Sequence, residues 1–257
     1  MLTQLNACFN GCSFTVGEGF PKEVRHKYIY DQLLSKKFNF NSTNIAISGS
    51  SNYTIFMRSA DAIQSKKYDI VFTQWSSLHR LSLSPGPETY FSTTDNKYSK
   101  FQYRDIYLSP TEKNHLINTL LLLNHDYQNI FDLIDYCKIL TQLCKHNSVK
   151  LVFINGLVPW KDDLIKLMNT NDLALSLSDY TKNILEFDKS NDEEIILYFS
   201  KLQNKFAELD QTNWANLFQS LISNEIDHGP EGHHPGIGSH QWLADQVSNF
   251  LTTNDIL

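Results

Sequence analysis

The 257-residue sequence predicts an α/β protein in which a parallel sheet is covered by helices. Two observations carry that prediction. Short apolar runs alternate along the chain with stretches of helical period. Each run also ends in a small or polar cluster of the kind that turns a chain out of a sheet. Composition agrees: 41% of residues are hydrophobic and 19% charged, with 10 Gly and 7 Pro. That is too apolar for disorder and too poor in Gly and Pro for collagen-like or low-complexity sequence. The formal net charge is −6, from 22 Lys+Arg against 28 Asp+Glu, which argues against a partner gripped through nucleic-acid phosphates. No uncharged apolar run approaches the roughly 20 residues of a membrane span. The first ten residues hold neither a basic stretch nor a long apolar one, so they do not read as a signal peptide, and a cytoplasmic location is expected.

Taken in order, the first strand is expected at residues 5–9, ending at Asn10-Gly11. A helix follows over 21–36, where Val24, Tyr28, Leu33 and Leu34 share a face. The second strand is the run 44–48, closed by the turn Gly49-Ser50-Ser51-Asn52, with Asn52 as cap of a helix carrying Ile55, Phe56, Ala60 and Ile63. Strands three and four are 69–75 and 149–154, the latter closed by Asn155-Gly156. Between them lie an irregular, aromatic-rich insertion at about 82–107 and a Leu- and Ile-rich helical stretch at 110–146. There Cys137 and Cys144 fall two turns apart on one face, as buried thiols do. A second, polar and mostly helical insertion covers about 160–226, and a last helix spans 239–251 with Ser239 as its cap. No linker divides the chain, so residues 1–257 are expected to form one domain.

Ligands of open α/β sheets bind beyond the carboxyl ends of the strands, so the turns leaving the strands are where chemistry is expected. The first turn carries Ser13 within Gly11-Cys-Ser-Phe-Thr-Val-Gly17, the second Gly49, and the third Gln74-Trp-Ser76-Ser77. Far along the chain comes Asp227-His-Gly-Pro-Glu231-Gly-His-His234-Pro-Gly236. A hydroxyl after the first strand and a carboxylate–imidazole unit near the C-terminus make a hydrolase arrangement. His228, His233, His234 and His240, with Asp227 and Glu231, also offer zinc-type ligands. The segment lacks an HExxH helix, however, and its prolines and glycines make it a loop. His233 and His240 are expected to hydrogen-bond locally instead.

These blocks, in this order over residues 7–244, resemble the SGNH/GDSL-type hydrolases, serine esterases and lipases on a flavodoxin-like three-layer α/β/α sandwich. The resemblance implies that Ser13 is the nucleophile and that the amides of Ser13 and Gly49 form an oxyanion hole. It further implies that His234 is the general base, oriented by the carboxylate of the Glu231-Gly-His-His234-Pro block. Two positions depart from the family pattern. The closing block has Glu231 where Asp is usual, and Asp227 remains a rival. The third block lacks the family's asparagine: a gap-free match places Leu78 there, leaving Gln74, Ser76 and Ser77 as candidates for the third oxyanion donor. The expected activity is hydrolysis of a carboxylic ester, an acyl or O-acetyl group on a small molecule or glycan, through an acyl-enzyme on Ser13. No cofactor and no metal are implied. Two further classes stay open on sequence alone: a binding or scaffold protein that has lost turnover, and a metal-dependent hydrolase using the His-rich loop.

Overall fold

Among the described residues four strands, all parallel, pair in the order β2 (Asn41–Asn44), β1 (Asn6–Asn10), β3 (Ile70–Trp75) and β4 (Lys150–Asn155). The computed structural model describes residues 4–76, 126–156, 211–215, 221, 226–232 and 234–257. The insertion at 82–107, most of that at 160–226, and Ser77, Leu78 and His233 lie outside them. The described helices are α1 (Ser13–Val16), α2 (Lys22–Tyr28), α3 (Tyr30–Phe38), α4 (Asn52–Gln64), α5 (Asp126–Asn147) and α6 (Ile237–Thr253).

Strands β1, β3 and β4 are buried on both faces, and the period of two along each sorts its side chains between two cores. Ala7, Phe9, Ile70, Phe72, Val152 and Ile154 face one layer, against Tyr30 and Leu34 of α3 and Leu243, Val247 and Leu251 of α6. Cys8, Val71, Trp75, Leu151 and Phe153 face the other, against Ile55 and Ile63 of α4 and Leu133, Ile134, Cys137 and Leu140 of α5. The result is the expected three-layer α/β/α sandwich. All four cysteines are buried and free, and burial pushes the thiols of Cys8 and Cys144 up to about 12. Among the described residues, no helix is long and apolar enough to cross a membrane.

Three expectations shift. The second strand is Asn41–Asn44 rather than the apolar run 44–48. Among the described strands it lies at the sheet edge beside β1, and its residues are mostly exposed, so they need not be apolar. The apolar run continues alongside β1 as a loop, with the amides of Ile45 and Ile47 donating to the carbonyls of Phe9 (2.8 Å) and Gly11 (3.3 Å). The helix expected over 21–36 is two helices, broken at Ile29, which is extended (φ −76°, ψ 145°). The break seats the Ile29 side chain against Gly17 and frees the Tyr30 amide to donate to His240 Nδ1 at 3.4 Å. Finally, α4 is capped by Ser51, whose hydroxyl accepts from the Thr54 amide, and not by Asn52.

Phe72 stacks on Phe9 at 4.4 Å with the rings 2° from parallel, both fully buried. Phe72→Ala is therefore expected to cost about 3–5 kcal/mol in denaturant unfolding, the range for emptying such a site.

Candidate active site

With β1 at the centre, β2 on one side and β3 on the other, the strand order reverses between β1 and β3. In open α/β sheets ligands bind at such a reversal, beyond the carboxyl ends of the strands. His234 and Glu231, on the loop before α6, come to the turn that carries Ser13. Cys12 is extended and lets the chain turn into α1 immediately after β1, so that Ser13 is the first helical residue. Asn10 fixes the exit: its carboxamide oxygen accepts from the Gly11 amide at 2.9 Å, and its nitrogen donates to Ile55 O and Ser59 Oγ on α4.

The turn is held from below by a residue that the sequence reading left in the background, Thr15. Its hydroxyl donates to Gln74 Oε1 of β3, Tyr30 Oη donates to it at 3.3 Å, and its carbonyl accepts from Asn44 Nδ2 at 2.7 Å. Asn44 in turn is held by Asp31 Oδ2 at 3.0 Å. Burial raises the Asp31 carboxyl to about 6, against hydrogen bonds from Asn44 and Gln32 that lower it. Three elements thus converge on one short helix. Gln74 is fully buried, and its Nε2 has no hydrogen-bond partner among the described residues. Ser76 is buried too. Its amide donates to Asn52 Oδ1 at 2.7 Å and its carbonyl accepts from Asn52 Nδ2 at 3.3 Å, so Asn52 stitches the Gly49 loop to the end of β3. Gly49 is exposed, at φ +77°, and a Cβ there would meet nothing within 4 Å.

The C-terminal block comes to the same edge. Gly19, at φ +106°, and Gly229 touch backbone to backbone: a Cβ on Gly229 would lie 2.8 Å from the Gly19 carbonyl oxygen. A Cβ on Gly19 would lie 2.9 Å from His234 Cβ. The His234 ring stands edge-on to Phe14 of α1, with centroids 5.8 Å apart. Its Nδ1 is 3.6 Å from Glu231 Oε2, and its Nε2 is 3.6 Å from Oε2 of Glu18, a residue the sequence reading passed over. The position of Glu18 between Gly17 and Gly19, a charged residue in a glycine turn beside Ser13, was the available signal. Its amide donates to the Ser13 carbonyl at 3.0 Å.

The rival carboxylate is engaged elsewhere. Asp227 accepts from the amides of Gly238 and Ser239 and from the Ser239 hydroxyl, capping α6 from outside the helix. Burial raises its carboxyl, but these hydrogen bonds outweigh it and hold the group below its ordinary value. Ser239 is accordingly a first-turn partner of that cap and not the cap itself. Among the described residues no three His, Cys, Asp or Glu side chains are disposed to hold a metal.

His240 bonds locally, as expected. It is fully buried, stacked on Tyr30, and its Nδ1 accepts from the Tyr30 amide. Burial lowers it to about 4, the nearby Asp227 charge opposing and His234 adding to the effect. Its NMR resonances are expected to stay those of the neutral ring down to about pH 5. Because the unfolded ring titrates near 6.5, this residue's contribution to stability falls as pH drops from about 6.5 to about 4, by roughly 3 kcal/mol. Titration of His240 near 6.5 would contradict its burial as a neutral ring.

No family model matches the sequence, and no curated protein matches it. Solved structures do resemble it. One is described as a putative lipolytic protein of the G-D-S-L family from Desulfitobacterium hafniense DCB-2, 9% identical, covering 96% of this chain and 100% of that one at a TM-score of 0.46. Another is TesA, 14% identical, covering 97% and 99% at 0.45. A third is a mutant of Axe2, an acetyl-xylooligosaccharide esterase from Geobacillus Stearmophilus, 13% identical, covering 96% and 94% at 0.45.

Proposed function

We propose that this chain is a serine hydrolase of carboxylic esters, removing an acyl or O-acetyl group, with acylated carbohydrates among the substrates to be tried. The observation that supports this most is the position of His234. Drawn from the far end of the chain, it rests against the turn that carries Ser13, with a carboxylate 3.6 Å from its Nδ1.

In this reading Ser13 Oγ attacks the ester carbonyl while His234 takes its proton, since an unassisted hydroxyl is a weak nucleophile at neutral pH. Glu231 accepts from Nδ1–H, which fixes the tautomer and stabilises the imidazolium as it forms. The oxyanion is held by the amide of Ser13, whose position at the start of a helix leaves it without an intrahelical acceptor, and by that of Gly49. Gln74 Nε2, Ser76 Oγ and Ser77 remain the choices for a third donor. The Gln74 amide nitrogen is favoured because Thr15 already fixes the other end of that carboxamide. His234 then returns the proton to the departing alkoxide, and water, activated by the same base, hydrolyses the acyl-enzyme.

Ser13→Ala is expected to lower kcat/KM for p-nitrophenyl acetate by more than about a thousandfold. Equal turnover by wild type and variant would remove the assignment. The two carboxylates separate by readout. Glu231→Gln is expected to slow turnover at unchanged stability. Asp227→Asn is expected to cost about 1 kcal/mol of stability through the lost cap, at nearly unchanged rate in the folded protein.

A further inference from the structure

The imidazole of His234 lies between two carboxylates, and an ester hydrolase needs only one. Glu231 meets Nδ1, and Glu18 meets Nε2 at the same 3.6 Å. The Glu18 side chain is 35% exposed and so reaches solvent, while its amide is tied to the Ser13 carbonyl at 3.0 Å. When His234 is the neutral base with its proton on Nδ1, its Nε2 lone pair and the Glu18 carboxylate are two acceptors facing each other. Two facing acceptors call for a donor between them. In the ester-hydrolase reading the Ser13 hydroxyl would donate to Nε2 alone, which leaves the carboxylate unanswered.

The departing alcohol passes through this place. Its oxygen must come within about 3 Å of Nε2 to receive the proton. Groups on the neighbouring carbon of the alcohol therefore reach the Glu18 carboxylate. We infer that Glu18 reads the alcohol half of the substrate, selecting esters whose alcohol carries a second hydrogen-bond donor, a hydroxyl above all, next to the ester oxygen. It disfavours alcohols carrying an anionic group there. This rests on the ester-hydrolase reading above and narrows it to polyol-type leaving groups. Charge-assisted hydrogen bonds are the stronger kind, so the selection is large enough to read in kinetics. Glu18 is a specificity residue here, with no role as base.

The test compares three acetate esters by acetate release: ethyl acetate, 2-hydroxyethyl acetate and O-acetylglycolate. The readout is the ratio of kcat/KM within one protein preparation, which is independent of the fraction folded. For wild type, 2-hydroxyethyl acetate is expected to exceed ethyl acetate by roughly tenfold or more, after division by the ratio for alkaline hydrolysis. O-acetylglycolate is expected to fall below ethyl acetate. In Glu18→Ala the first preference collapses toward the alkaline ratio and the anionic ester recovers. Glu18→Gln, which keeps an acceptor oxygen and loses the charge, retains part of the hydroxyl preference and accepts the anionic ester. Ser13-dependent hydrolysis with the same ratios in wild type and Glu18→Ala would overturn the role of Glu18 alone. Wild type that hydrolyses none of the three esters above its Ser13→Ala variant would overturn both this role and the ester-hydrolase reading.

Discussion

The whole edge of the sheet depends on one close approach, the contact between the backbones of Gly19 and Gly229. With a Cβ on Gly229 only 2.8 Å from the Gly19 carbonyl oxygen, no side chain fits there without moving one of the two loops. The contact lets the segment after α1 and the segment before α6 nest, and His234 is carried over α1 as a consequence. The other end of the C-terminal loop is fastened independently. Asp227 accepts from the first-turn amides of α6, the Gly236 amide donates to the Asp227 carbonyl at 2.9 Å, and the Gly229 amide donates to the His234 carbonyl at 2.7 Å. A loop fixed at both ends presents its imidazole in a set direction and leaves Glu231, 57% exposed, near its tip.

Beneath this, polar groups do the holding. Thr15 is bonded to residues of β3, α3 and β2, and each bond lies in or near the core. A single hydrogen bond contributes about 1 kcal/mol net, but breaking one partner of a buried set leaves the other unsatisfied at greater cost. The placement of α1 is thereby overdetermined, which suits the role proposed for the Ser13 hydroxyl. The two histidines of the C-terminal region show the contrast between scaffold and site. His240 is sealed among Phe20 and Tyr30, whereas His234 keeps 20% of its side chain exposed between two carboxylates.

The sequence was readable where burial is complete. The first, third and fourth strands fall within one residue of their expected bounds because apolar side chains face helices on both sides, giving unbroken apolar runs. The second strand differs for the converse reason: at the edge, Asn41 and Thr43 are exposed and Asn44 is polar, and the apolar Ile45 and Ile47 beside them place the expected boundary too late. The break at Ile29 has no local signature, since what stabilises it is the fit against Gly17 and the His240 acceptor far along the chain. Of the candidate site, the turn residues and the His234 loop were legible as motifs. Thr15, Asn44 and Asn52 were not, because their roles are relations between elements that spacing does not encode, and Glu18 was marked only by its place between two glycines. The capping role of Asp227 is of the same kind: nothing in the sequence distance to Gly238 and Ser239 shows which carboxylate turns inward.

The account stands on Ser13 being activated by His234, and a fluorophosphonate probe addresses that directly, because only an activated hydroxyl displaces its fluoride. After labelling, peptide mass spectrometry locates the adduct in wild type and in His234→Asn. The account predicts the adduct on Ser13 in wild type and its near-complete loss in the variant. Labelling of another residue in place of Ser13, or of Ser13 at the same rate in both proteins, would contradict it.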